Sequence, residues 1–134
     1  MIRSKCKTKK LTKEKLRKKA DALIQEYTKT KYPHCLVCSE PTNCGHHFVP
    51  KANSNALRYY LPNIIPICLQ CHALVHSQPH LIQPKICFIM GKEWHEDLMQ
   101  VKQQGVKANW WWYKSNVEEL KKLKEAPNAT MSDL

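Results

Sequence analysis

Apolar residues near the start of the chain recur at the spacing of one face of an α-helix. The residues on this face are Leu16, Ala20, Leu23, Ile24 and Tyr27. Thr12 precedes them and suits an N-cap, because its hydroxyl can accept a hydrogen bond from a backbone N–H of the first turn. Pro33 predicts that the helix ends before residue 33.

The middle of the chain carries most of the turn signals together with nearly all cysteines and histidines. The stretch "HCLVC" predicts a tight turn that could bind a metal, and "NIIPIC" predicts a short β-strand. "LQCHALVHS" then suits a short helix. On such a helix His72 and His76 lie four residues apart and share one face.

The last third of the chain is predicted to be helical. Beyond Pro84, "KICFIM" and "KEWHEDLMQVKQQ" read as two helical pieces hinged at Gly91. "SNVEELKKLKE" predicts a final helix in which Ser115 and Glu118 stand in capping-box register. In "NWWWY", residues 109 to 113, we favour packing of the tryptophans against a small core. The alternative is that one stacks on unpaired nucleic-acid bases.

These patterns divide the chain into four parts. They are a basic arm and helix (1–32), a core that contains nearly all cysteines and histidines (33–80), a C-terminal helical region (81–126) and a tail (127–134). With 134 residues, of which 43% are hydrophobic, the chain is expected to form one small domain.

The apolar runs and the cysteines of the chain indicate where in the cell the protein is expected. No apolar run approaches the roughly 18 residues that span a bilayer, and no apolar stretch follows the basic start as in a signal peptide. Seven cysteines, mostly in CxxC pairs, fit metal binding in a reducing compartment better than a disulfide framework. We therefore expect no membrane partner and a cytoplasmic location.

The charge is strongly positive, at +11 from 22 Lys and Arg against 11 Asp and Glu. Residues 3 to 19 contain ten of the basic side chains and one acidic residue. Such a run can be a solvated arm, but it favours a polyanionic partner such as a nucleic acid. Phosphate contacts are predicted for Lys13, Arg17, Lys18 and, between the two motifs described next, Arg58.

Two CxxC pairs predict a structural zinc site. Cys35 and Cys38 form the first pair, and Cys68 and Cys71 form the second. Four thiolates in this arrangement make a closed tetrahedral site with no open coordination position, so its role would be structural. Cys44 could replace one ligand but lies outside a pair.

Five further residues are not needed by a zinc knuckle, and their pattern suits phosphodiester hydrolysis at a second metal. His72 and His76 can bind a divalent ion from one helix face, with His46 as third ligand from a facing strand. His47 points to the other side of that strand and is free to act as general base. Asn63 would hydrogen-bond the loop between residues 47 and 63 and so orient the base.

Each of these residues also has a simpler interpretation. His46 or His47 could pack near the zinc site, and His76 could be an ordinary surface residue. His72 could support the zinc site or replace one thiolate. Asn63 could be only a turn residue after Pro62.

The segment "HHFVPKANSNALRYYLPNIIPICLQCHALVH" resembles the HNH, or ββα-metal, endonuclease superfamily in its His doublet, its central Asn and its His-x-x-x-His helix. Over most of the chain, a basic helix followed by "CLVC", "GHH", "LRYYLPNI" and "CLQC" is similar to the lambdoid phage Rap/NinG recombination endonucleases. One difference is His72, where that family often has Asn. The resemblance implies a DNA nuclease that cuts branched recombination intermediates, such as D-loops and Holliday-type junctions, leaving 5′-phosphate and 3′-hydroxyl ends.

The sequence therefore predicts an α+β protein: a small zinc-stapled ββα-metal core with flanking N- and C-terminal helices. The expected function is metal-dependent DNA endonuclease, with structural Zn²⁺ and a catalytic ion. Mg²⁺ or Mn²⁺ is expected for the latter, with Zn²⁺ or Ni²⁺ as alternatives. Symmetric junction cleavage would require a homodimer. The alternatives are a non-catalytic zinc-dependent nucleic-acid-binding accessory protein and a homing or restriction-type HNH nuclease.

Overall fold

The computed structural model describes residues 10–125, which form five α-helices and one two-stranded sheet. The elements in chain order are α1 (Lys13–Lys31), β1 (Cys44–His47), β2 (Ile64–Ile67), α2 (Leu69–Ser77), α3 (Pro79–Met90), α4 (Lys92–Lys102) and α5 (Trp110–Glu125). The predicted α+β class is confirmed. Most of the predicted basic arm and the predicted tail lie outside the described residues.

The two ends of the described chain pack together. Helix α1 begins after Thr12, whose hydroxyl accepts a hydrogen bond from Lys15 N at 3.2 Å, and it ends at Lys31, as predicted. Its apolar face packs against α5 in one core. The buried residues of this core are Leu16, Ala20, Ile24 and Tyr27 from α1, Tyr113, Val117, Leu120 and Leu123 from α5, and Tyr59 and Ile64 between them.

The sheet lies directly under α1. Strands β1 and β2 are antiparallel, with His46 opposite Ile65 and His47 opposite Ile64. Gly45 allows this close approach, because a Cβ there would lie 2.6 Å from Ile64 Cγ2 and 3.0 Å from Thr28 Oγ1.

A second core lies on the other side of the sheet and joins it to α2 and α3. Its buried members include Ile65, Ile67, Val75, Ile82 and Ile86, together with three cysteines. Among residues 10–125, no helix combines the length and the apolar character needed to cross a bilayer.

The structure changes two of the predicted helix boundaries and confirms a third. Helix α3 begins at Pro79 and contains Pro84 rather than starting beyond it. Gly91, at φ +96°, separates α3 from α4, which confirms the predicted hinge. The predicted cap at Ser115 is wrong, because α5 begins at Trp110. Asn109 supplies the cap contact instead, since its side-chain oxygen accepts a hydrogen bond from Trp112 N at 2.9 Å.

Candidate functional site

Four cysteine side chains converge between the first tight turn and the start of α2. The sulfur atoms of Cys35, Cys38, Cys68 and Cys71 all lie within 4.8 Å of one another, and those of Cys38 and Cys68 are 3.5 Å apart. Tetrahedral zinc with Zn–S bonds of about 2.3 Å would separate its ligand sulfurs by roughly 3.8 Å. The cluster can therefore hold a structural metal ion such as zinc.

Backbone contacts fix the two halves of this cluster. Leu36 N donates to Pro66 O at 2.9 Å, which ties the first turn to β2. Cys68 caps α2, since its sulfur accepts a hydrogen bond from Cys71 N at 3.3 Å. Burial raises the pKa of Cys35, but backbone hydrogen bonds from Cys38 and Cys68 outweigh it and lower that pKa to about 7. Burial raises the pKa of Cys71. Because four adjacent thiolates repel one another, a bound cation is needed to ionise them together.

Three histidines form a separate cluster. His46 from β1 and His72 and His76 from α2 each place a ring nitrogen within 4.8 Å of the others. Nε2 of His72 and Nε2 of His76 are 3.0 Å apart. The helix therefore presents both rings on one face, as their spacing predicted, and the strand brings the third ring against them.

The buried ring of His46 is suited to a metal ion. Its Nε2 is inaccessible to solvent and has no hydrogen-bond partner among residues 10–125. Burial, with His72 and His76 close by, lowers the pKa of His46 to about 4. This ring is therefore neutral at neutral pH, and a neutral imidazole nitrogen is the form that binds a metal. A buried nitrogen without a partner is costly, and a shared ion would satisfy it.

His47 lies beside this cluster and is held by the loop between the strands. Its Nε2 is 2.9 Å from the backbone oxygen of Arg58. Since a carbonyl only accepts, Nε2 carries the proton and Nδ1 is left as an acceptor. Burial lowers the pKa of His47, although the contact with the Arg58 carbonyl opposes this shift.

Asn63 is fully buried and makes the hydrogen bonds that were predicted for it. Its oxygen accepts from Val49 N at 2.9 Å, and its amide nitrogen donates to Val49 O and Leu57 O, each at 3.1 Å. One side chain thus fixes both arms of the loop that presents the Arg58 carbonyl to His47. A catalytic contribution from Asn63 stays a prediction.

A cleft of about 270 Å³ opens over the histidines. It is lined by Gln25, Gly45, His46, His47, Pro50, Lys51, His72 and His76. Among these lining residues there is no carboxylate, and Lys51 adds a positive charge. Beside the three imidazoles that could hold a metal ion, the cleft therefore suits an anionic ligand.

The residues predicted to bind phosphate lie apart from the cleft lining. Arg58 is mostly buried, and its guanidinium pairs with Asp21 at 2.7 Å and contacts Tyr59 Oη at 3.2 Å. Lys13 and Lys18 are exposed on α1, while Arg17 pairs with Glu14. Phosphate binding by these four residues stays a prediction, and Arg58 already has a carboxylate partner.

The sequence analysis did not assign three residues to the surroundings of the cleft, and it considered one of them, Cys44, only as a zinc ligand. Cys44 Sγ lies 3.3 Å from His72 Nδ1, so it contacts the ring nitrogen that faces away from His76. Gln25 of α1 bonds both backbone groups of Gly45, at 2.9 and 2.7 Å. Lys51 lines the cleft from the loop. Of these three residues, only Cys44 could have been linked to the histidines from the sequence. It lies two residues before His46 and therefore on the same face of a strand.

The chain was compared with protein-family models, with curated proteins and with solved structures, and none of these comparisons found a match.

Proposed function

We propose that the protein is a metal-dependent DNA endonuclease whose active site is the histidine-lined cleft. The observation that carries this proposal is the convergence of His46, His72 and His76 beside a fourth histidine, His47, in a group distinct from the four thiols. A structural zinc site alone needs none of these imidazoles. Three ligands that leave coordination positions open, next to a base, are the parts that metal-assisted hydrolysis requires.

His47 serves as the general base in this proposal. Its Nε2–H donates to the Arg58 carbonyl, which leaves Nδ1 to take a proton from a water molecule. That water attacks the phosphorus, the bond from phosphorus to the 3′ oxygen breaks, and the leaving oxygen takes a proton from solvent. The products are a 5′-phosphate and a 3′-hydroxyl, as the resemblance to HNH nucleases implies.

His46, His72 and His76 would hold the catalytic ion. When bound, a divalent ion neutralises charge on the scissile phosphate and stabilises the leaving oxygen. Three imidazole nitrogens suit Mn²⁺, Ni²⁺ or Zn²⁺ better than Mg²⁺, which prefers oxygen ligands. Among the ions expected from the sequence, we therefore favour Mn²⁺ over Mg²⁺.

DNA is the proposed substrate because the chain carries a net charge of +11 and the cleft lining includes Lys51 but no carboxylate. The preference for branched recombination intermediates rests on the resemblance to the Rap/NinG endonucleases. A dimer would be needed to cut a junction symmetrically.

The test is cleavage of supercoiled plasmid, linear duplex and a four-way junction with Mg²⁺, Mn²⁺, Ni²⁺ or Zn²⁺ added. We expect cleavage with at least one ion, fastest on the branched substrate. His47→Ala should reduce the rate by at least about 100-fold, because a positioned general base contributes that much. The matched control is His80→Ala, which removes an exposed histidine at the start of α3.

Three outcomes would each reject a part of this proposal. If DNA is bound but no ion supports cleavage, the protein is a zinc-dependent binding module rather than an enzyme. If His47→Ala and His80→Ala cut the junction equally fast, His47 is not the base. Equal cleavage of linear duplex and junction would remove the preference for branches.

A further inference from the structure

Three adjacent tryptophans begin α5, and they differ in exposure. Trp110 and Trp112 pack against the core shared by α1 and α5. Trp111 has 70% of its surface exposed and projects from that core. Packing therefore accounts for two of the three indoles, as the favoured interpretation of "NWWWY" predicted, but it does not account for the third.

The exposed indole of Trp111 lies against the side chain of Trp110, which is itself anchored by a hydrogen bond. Trp110 Nε1 donates to Leu11 O at 2.7 Å, which ties the start of α5 to the start of α1. The rings of Trp110 and Trp111 meet edge to face with centroids 4.7 Å apart. Trp111 is therefore held against an anchored ring, which lowers the entropy lost when it binds a flat partner.

The surroundings of Trp111 are positively charged. Lys10 Nζ lies 4.1 Å from the centroid of the Trp110 ring and 5.7 Å from that of Trp111. The first turn of α5 contains no acidic residue, and Lys107 is exposed just before it. Neither lysine has an ion-pair partner among residues 10–125. An exposed indole beside cations is the combination with which proteins bind unpaired nucleic-acid bases, because the ring stacks on the base while the cations contact the phosphates.

We infer that Trp111 and Lys10 form a stacking platform for an unpaired base of the DNA substrate. This inference rests on the proposed nuclease function and deepens it, because it explains how a small chain could select branched over regular duplex DNA. Helix α1 connects the platform to the cleft, from Thr12 near Trp110 to Gln25 in the cleft lining. At 1.5 Å per residue these points are roughly 20 Å apart, about the length of six nucleotides, so one DNA molecule can reach both.

The experiment compares two DNA molecules of equal duplex length, one blunt and one with a single-stranded flap that carries 2-aminopurine. Binding is measured by fluorescence anisotropy without added divalent ion. Trp111→Ala should weaken binding of the flapped DNA about tenfold and leave blunt-duplex binding within about twofold. Trp111→Phe should restore most of the loss, and quenching of 2-aminopurine by the wild type should disappear in Trp111→Ala.

Phe88→Ala is the matched control, since Phe88 is 88% exposed on α3 and has no tryptophan or lysine placed over it among the described residues. Circular dichroism should show that all variants remain folded. The platform is rejected if Trp111→Ala binds both DNA molecules like the wild type, or if it changes the sedimentation of the protein, which would show that a second copy covers Trp111. Both of these outcomes would reject only the platform. The proposed nuclease function would still stand if the wild type binds and cuts DNA.

Discussion

Replacing Asn63 by alanine should loosen the loop that carries the Arg58 carbonyl. The substitution removes the partners of Val49 N and Val49 O, both of which are buried with the loop. Leu57 O keeps a second donor, Tyr60 N at 3.4 Å, so its loss is smaller. Each buried polar group left without a partner costs about 1–3 kcal/mol, and two of them give roughly 3 kcal/mol once the loop relaxes.

Urea denaturation followed by tryptophan fluorescence and circular dichroism measures this loss. Trp94 is a useful reporter because its Nε1 donates to Pro62 O at 2.7 Å and its ring contacts Phe48. For a small protein whose free energy of unfolding falls by about 1–2 kcal/mol per molar urea, the midpoint should drop by roughly 1.5–3 M. The control is Asn53→Ala, which changes an exposed asparagine of the same loop.

The same variant links the loop to the cleft. If Asn63 fixes the Arg58 carbonyl that orients His47, Asn63→Ala should also slow DNA cleavage under conditions where the protein is fully folded, while zinc content stays unchanged. A change in the free energy of unfolding below about 0.5 kcal/mol would show that Asn63 does not stabilise this loop, because water would then replace the three hydrogen bonds at no cost.

Three other substitutions test separate contacts. Cys38→Ser should lose the bound zinc and lower thermal stability together, as measured by metal analysis and a melting curve, and a chelator should act on the wild type in the same way. Gly45→Ala should destabilise the fold by about 1–3 kcal/mol in urea, because its Cβ has no room beneath α1, while Gly105→Ala, with open space around it, should be neutral. Cys44→Val should weaken metal binding at the histidine cluster about tenfold in a calorimetric titration, because the sulfur no longer orients His72.

A specific result would contradict each of these three predictions. Full zinc content with normal stability in Cys38→Ser would exclude the four-thiolate site. Equal stability of the two glycine variants would show that α1 does not restrict Gly45. Cys87→Val, on α3, is the control for Cys44→Val, and equal metal affinity of these two variants would leave the contact between Cys44 and His72 without a function.

Local patterns predicted much of the fold. The apolar spacing and Thr12 placed α1, and the Cys and His spacings placed α2 and both side-chain clusters, because helix periodicity and metal-ligand spacing are local properties of the chain. The cap at Ser115 was wrong for a physical reason. Trp110 and Trp112, which precede it, join α5 by packing against the core shared with α1, a contact between residues far apart in sequence that a capping motif does not contain.

The cleft was only partly predictable. The spacing of His72 and His76 implied a shared face, but the approach of Gln25 to Gly45 depends on how α1 docks on the sheet. The pairing of Arg58 with Asp21 likewise joins distant segments, so the sequence suggested a phosphate contact where the structure has an internal ion pair. Contacts of this kind arise from tertiary packing and leave no periodic signal.

Anomalous diffraction from crystals grown with Zn²⁺ tests the two-site arrangement most directly. We expect two peaks: one about 2.3 Å from each of four sulfurs, and a second about 2.1 Å from ring nitrogens of His46, His72 and His76. In His76→Ala the second peak should weaken or vanish while the first remains. A single peak at the cysteines in the wild type, with the three imidazoles bound to no ion, would contradict the claim that this cleft is a metal-dependent active site.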